Sequence, residues 1–342
     1  MKATERLKQV LQGEKADRPP CICPGGMMNM VTKELMEREH VYFPEAHLDA
    51  SAMARLACAV YQNQCFENLG VPFCMTTEAE GFGAQVDLGS DIYEPHVTKY
   101  ILDSVTEYET LSPLNLEAGR LKVTLDAIQE LKKMQMDAPI IGNLTGPVST
   151  ASSLMEPVVF YKELRKKKDA AHAYMDAVTK ELIRLGQAEI EAGADVIAIS
   201  DPSGTGEILG PKLFEAYTVR YINQLLSGLR EKQVKTIVHI CGKMSTVYEQ
   251  VNHIESDVLS FDSIVSMKEA KEKLPGRILM GNVSTYALEF GDKEKVKQLA
   301  KNCMKNGADI LAPACGLGMK SPLSNVQIML EAAREEESRC QS

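Results

Sequence analysis

EAGADVIAISDP (191–202) and KNGADILAPACG (305–316) follow one pattern: a helix end, a Gly-Ala-Asp turn, an unbroken apolar run, then a Pro or Gly exit. Gly193 and Gly307 suit the left-handed residue that closes a helix. A continuous apolar run, without alternation, is what a parallel strand covered on both faces requires. Six further runs of this kind are PPCICPGG (19–26), GVPFCMT (70–76), APIIGNLTGP (138–147), KTIVHICG (235–242), SDVLSFD (256–262) and RILMGNV (277–283). Amphipathic helical stretches separate most of them, at 114–134, 156–192, 211–232, 245–254 and 292–306. Strand–helix alternation repeated eight times predicts an α/β fold of the (β/α)8, or TIM barrel, type. Residues 1–18 read as an N-terminal helical extension, and 77–112 as an antiparallel excursion inserted after the second strand. No low-complexity linker or charge block marks a boundary, so residues 1–342 read as a single barrel domain.

Composition narrows the function. The chain carries a net charge of −9, which disfavours nucleic acid or an anionic membrane as the partner. No segment reaches the ~18 uninterrupted apolar residues of a membrane span. The N-terminus lacks the apolar stretch of a signal peptide, so a cytoplasmic location is expected. Nine cysteines, an odd count, fit disulfide pairing poorly. Most read as buried small hydrophobes, and a minority as metal ligands.

In a β/α barrel the active site lies at the C-terminal ends of the strands. The polar residues ending the predicted runs are therefore the candidates: Cys21, Cys23, Glu78, Asn143, Asp201, His239, Cys241, Asp262, Asn282 and Cys315. His239-Ile240-Cys241 places its first and third side chains on one face of the fifth strand. Cys315 ends the eighth strand, with Gly316 and Gly318 leaving room above it. One imidazole and two thiolates make a soft site suited to Zn²⁺, and three protein ligands with one exchangeable position is the arrangement of a catalytic zinc. Asp262, ending the sixth strand, is a candidate fourth and displaceable ligand. Cys21-x-Cys23 has the same spacing but no histidine, and reads as strand packing. Asp201 either orients the ligating imidazole or caps a helix, and Glu207 lies with it across the SGTG turn. Asn143 and Asn282 bind loops or touch substrate; Glu78 is a candidate substrate contact.

VHICG (238–242), GNVS (281–284), ADILAPACG (308–316) and ADVIAISDP (194–202), with PEAH (44–47) and VPFCMTTEAEGFG (71–83), resemble the uroporphyrinogen decarboxylase superfamily over nearly the whole chain. Within it they are most similar to the corrinoid-linked zinc methyltransferases. The resemblance implies zinc held by His239, Cys241 and Cys315. The acidic residue of the resting shell falls on Asp262, where close relatives carry Glu. It also implies methyl transfer between a methylcobamide and a small acceptor, a thiol such as coenzyme M or else tetrahydrofolate. No histidine here lies in a D-x-H-x-x-G corrinoid-ligating motif, so the corrinoid must arrive on a separate protein. Gly25, Gly26, Met27, Met28 and 316–319 are candidates for an adaptable apolar rim beneath it. Three other readings stay open. The site would demethylate an O- or N-methyl donor onto Co(I), or the protein would be a decarboxylase, or the zinc would be structural. The decarboxylase needs arginines near the first strand's end, and CICPGGMMNMV offers none. A structural zinc usually has four strong ligands.

Overall fold

Prolines decide how the barrel closes. The computed structural model describes residues 1–340. Its main sheet is parallel and follows chain order: β1 (Leu69–Val71), β4 (Ile140–Thr145), β5 (Val196–Ser200), β6 (Lys235–Ile240), β7 (Val258–Phe261), β8 (Ile278–Val283) and β9 (Ile310–Pro313). Seven of the eight expected runs are thus strands. The eighth stave is Pro20–Cys23, where Pro19, Pro20 and Pro24 cannot donate to a ladder. It meets β9 through a single parallel bridge, Cys21 opposite Leu311. Ile22 N donates to Leu311 O at 3.0 Å, and Leu311 N to Pro20 O at 2.9 Å. On the β1 side, side chains replace ladder bonds. Asn68 Oδ1 accepts from Cys23 N at 2.9 Å, and Asn68 Nδ2 donates to Cys23 O at 2.7 Å. Glu67 serves Cys21 half with its backbone, its N donating to Cys21 O, and half with its side chain, Oε2 accepting from Cys21 N. Gly70 is needed at this seam, because a Cβ there would lie 2.0 Å from Pro24 O.

The N-terminal helix Ala3–Leu11 buries Leu7, Val10 and Leu11 and lies beside Pro139, Val196 and Lys235, at the starting ends of three strands. Arg6 and Arg18 fasten it through Glu67, in a buried ion network that includes Asp17. The excursion after β1 is an antiparallel hairpin, β2 (Gln85–Asp87) with β3 (His96–Lys99), carrying a bulge at Gln85/Val86. The expected helix 156–192 is two helices, Pro157–Lys166 and Lys168–Ala192, broken where Lys167 leaves helical geometry at φ −124°, ψ 52°. The expected 211–232 helix begins earlier, at Gly206, and is interrupted by Gly210 (φ +68°), Pro211 and a π-helical stretch at Phe214–Val219. No helix among the described residues is long and apolar enough to cross a membrane.

Candidate metal centre

Register carries the site. Thr145 pairs with Ser200, Ser200 with His239, and His239 with Ser260, so four polar side chains sit in one row across β4 to β7. The row lies at the C-terminal ends of the strands and forms a floor for the barrel mouth. From it the chain places His239 Nε2, Cys241 Sγ and Cys315 Sγ within 4.8 Å of one another. His239 is buried, while the two cysteines are half-buried and face the mouth. The imidazole is fixed from below, its Nδ1 2.9 Å from Ser260 Oγ, which leaves Nε2 turned to Cys241 Sγ at 3.3 Å.

The thiols are electrically linked. Hydrogen bonding from Cys241, with His239 close by, draws the Cys315 thiol well below the usual thiol range against the cost of burial. The same contact pushes Cys241 up, helped by desolvation. The two thiols thus shift in opposite directions through one shared contact. A thiol lowered in this way suits a soft-metal donor set.

Other expected residues take different places. Asp262 follows directly on β7, and its Oδ1 accepts from Ser263 Oγ at 3.2 Å and from Ile264 N at 3.1 Å. Its carboxylate is not among the three clustered donors. Asp201 does not hold the imidazole. Its carboxylate is fully buried and accepts from Val148 N (3.1 Å), Ser149 N (2.8 Å) and Ser149 Oγ (2.6 Å), the opening of the helix Pro147–Ser152. Only the Asp201 backbone reaches β6, its N donating to His239 O at 3.0 Å. Glu78 is buried and clamps Thr145 of the floor row, accepting from its N at 2.6 Å and its Oγ1 at 2.9 Å. Asn143 ties the first stave to the barrel, with Nδ2 donating to Pro24 O at 2.8 Å and Val71 O at 3.0 Å. Asn282 holds the loop after β7, donating to Asp262 O and Val265 O, both at 2.8 Å. Glu207 accepts from Lys243 N at 3.0 Å and so fixes the turn that follows Cys241. Cys21 and Cys23 are buried, and packing raises both thiols.

The expected Gly- and Met-rich rim is a correction. Met27, Met28 and Met319 are buried, because Gly316 threads directly over the 27–29 backbone. Exposed apolar residues stand instead on the hairpin turn and on the segments that follow β5, β7 and β8. They are Ile92, Tyr93, Ile208, Ile264, Tyr286 and Phe290.

Sequence reasoning also missed three groups. Ser260 is one. Arg120 is another, buried with its guanidinium on Cys74 Sγ (3.2 Å), Thr76 Oγ1 (2.9 Å) and Glu80 Oε2 (2.5 Å). The third is Glu94, which the hairpin carries to the mouth. Its Oε1 lies 3.5 Å from where a Cβ on Gly316 would sit. The side chain meets solvent yet is sunk among the mouth's walls, and that desolvation, with Cys315 and Cys74 nearby, pushes its carboxyl up to about 7.

The uroporphyrinogen decarboxylase family model matches residues 2–336, and the chain belongs to that family. The methylcobamide:CoM methyltransferase MtbA of Methanosarcina acetivorans is 32% identical over 96% of this chain and 97% of its own length. MtaA of Methanosarcina barkeri is 31% identical over 97% of each chain. A solved methyltransferase from Methanosarcina mazei superposes with a TM-score of 0.90 at 32% identity, covering 98% of this chain and 99% of its own. The protein is accordingly an enzyme of the methyltransferase class.

Proposed function

We propose that the enzyme holds zinc through His239, Cys241 and Cys315. There it moves a methyl group from a methylcobamide on a separate corrinoid protein to a small thiol, with coenzyme M, named for its relatives, as the first candidate. The observation that carries the reading is the clustering of one imidazole and two thiols within 4.8 Å at the barrel mouth. This donor set fits zinc, with three protein ligands and a position left for exchange. Bound there, the ion supplies a Lewis-acidic site that favours a substrate thiol as its anion.

The chain's own residues do the rest. Ser260 fixes the imidazole so that Nε2 faces the thiols. Cys241 and Cys315 are electron-rich donors and keep a neighbouring thiolate nucleophilic. Glu207 and Glu78 hold the loop after Cys241 and the floor beside it. Arg120, ion-paired with Glu80, donates to Cys74 Sγ at 3.2 Å and holds that side chain in place. The exposed apolar loops around the mouth suit a protein that presents its corrinoid from above.

Metal analysis of the purified protein should return about one equivalent of zinc, as expected for a single site. Cys241→Ala should lose the metal and the ability to demethylate methylcobalamin in the presence of coenzyme M. A variant that keeps its full complement of zinc would overturn the ligand assignment. Methylation of Co(I) from a methyl ether, without thiol methylation, would reverse the direction. Turnover with tetrahydrofolate alone would replace the acceptor.

A further inference from the structure

We propose that Glu207 sets the donor strength of Cys241 by keeping the Lys243 amide away from its sulfur. This rests on the zinc reading above and makes Glu207 a positioning residue, acting through the ligand. The two cysteines are dressed differently. The Cys315 thiol is lowered by contact with Cys241 first, then by His239 and the Gly316 N–H, against the cost of burial. The Cys241 thiol is raised, by contact with Cys315 first and by burial after it. Its sulfur faces His239 Nε2 and takes no backbone N–H among the described residues. In a turn, the N–H two residues on is a donor that a short polar side chain commonly meets. For Cys241 that donor is Lys243 N, and it is bonded instead to Glu207 Oε2 at 3.0 Å.

The carboxylate is held where it can do this. Glu207 lies in the first turn of the helix Gly206–Leu213, which Thr205 caps by accepting from Ile208 N at 3.3 Å. Gly206 seats that helix against the segment after β6, since a Cβ there would lie 2.6 Å from Val247. Gly242, at φ +86°, leaves the space between, because a Cβ on it would stand 2.6 Å from Glu207 Oε2. A hydrogen bond to a thiolate sulfur draws charge from it and tunes a metal centre it belongs to. With Cys241 spared that bond, a substrate thiolate beside it keeps more of its charge for attack on a methyl group.

Cobalt(II) substitution and the demethylation of methylcobalamin by coenzyme M test this together. Glu207→Ala frees the Lys243 N–H for Cys241. The thiolate-to-cobalt absorption should then move to higher energy, and demethylation by the zinc protein should slow by about tenfold. The metal content should stay at the wild-type level, because all three ligands remain. Glu207→Gln keeps an oxygen that accepts the amide, and should restore both the absorption and the rate. The proposal is overturned if Glu207→Ala leaves the absorption unmoved, if it loses the metal, or if Glu207→Gln behaves as Glu207→Ala does. Wild-type protein that binds neither zinc nor cobalt would instead sink the metal reading itself.

Discussion

Ser260 is a small hydroxyl whose position matters more than its size. Paired with His239 across β6 and β7, it fixes the ring nitrogen that does not face the thiols. A partner of this kind sets the imidazole's tautomer and orientation. Ser260→Ala should therefore lower zinc affinity by roughly 10-fold or more while leaving the three ligands in place. Chelator competition measures it, and an unchanged affinity would remove the role. At this scale the sequence was uneven. His239 and Cys241 were readable because alternation puts residues two apart on one face, and Cys315 because its run repeats the pattern of 191–202. Ser260 was hidden: nothing in SDVLSFD distinguishes a serine that meets a histidine from one that does not. For Asp201 the sequence left two roles open, orienting the imidazole or capping a helix. Its carboxylate takes the capping role, at the helix that starts at Pro147, where a Cβ on Gly146 would lie only 2.4 Å from the Asp201 Cβ.

Among elements, the first stave and the long helix after β4 carry the most testable physics. PPCICPGG has the hydrophobicity of a strand, and its prolines explain why side chains replace its ladder on one side. Asn68→Ala would strand Cys23 N and O without partners inside the protein, at about 1–3 kcal/mol for each buried group. Denaturant unfolding should show that loss; a loss well under 1 kcal/mol would mean water or backbone replaces the amide. The helix Lys168–Ala192 turns Glu189 inward, its Oε2 buried without a partner where a Cβ on Gly142 would come within 2.5 Å. Burial first, and the nearby Glu78 carboxylate second, raise the Glu189 carboxyl well above its ordinary range. The folded state therefore holds this proton more tightly than the unfolded chain does. Its contribution is intact below the ordinary glutamate value of about 4.3 and is lost as pH rises through the folded value. Glu189→Gln should flatten the decline in stability on the alkaline side, seen in melting temperatures collected across pH. Parallel wild-type and variant curves would show that Glu189 is not the cause. Neither feature is visible in a pattern of apolar positions: the seam needs the prolines read against the closing strand, and Glu189 occupies a helical position that reads as polar surface.

On the scale of the whole molecule, the barrel divides its work between a closed end and an open one. The N-terminal helix and its ion network cover the starting ends of strands, while the metal candidates, the hairpin and exposed apolar side chains such as Ile264, Tyr286 and Phe290 lie at the other. The eightfold alternation made this polarity legible, and with it the end at which chemistry occurs. The composition of the rim was not legible, because exposure depends on which loop folds beneath which. Met27 and Met28 went under Gly316, and Tyr286 and Phe290 stayed out, at 71% and 67% exposure. If the corrinoid arrives on a protein, those two rings, 4.9 Å apart on the short helix Thr285–Phe290 that follows β8, lie in its path. A Tyr286→Ser, Phe290→Ser double variant should then slow methyl transfer from the protein-bound methylcobamide by about tenfold or more, since large buried aromatics dominate interface energies. Free methylcobalamin needs no protein contact, and its demethylation by the same variant should proceed at the wild-type rate. Both substrates slowing equally would place the rings in the fold or the chemistry; neither slowing would move the docking face to another part of the rim. The comparison separates a surface that receives a partner from a site that performs the transfer.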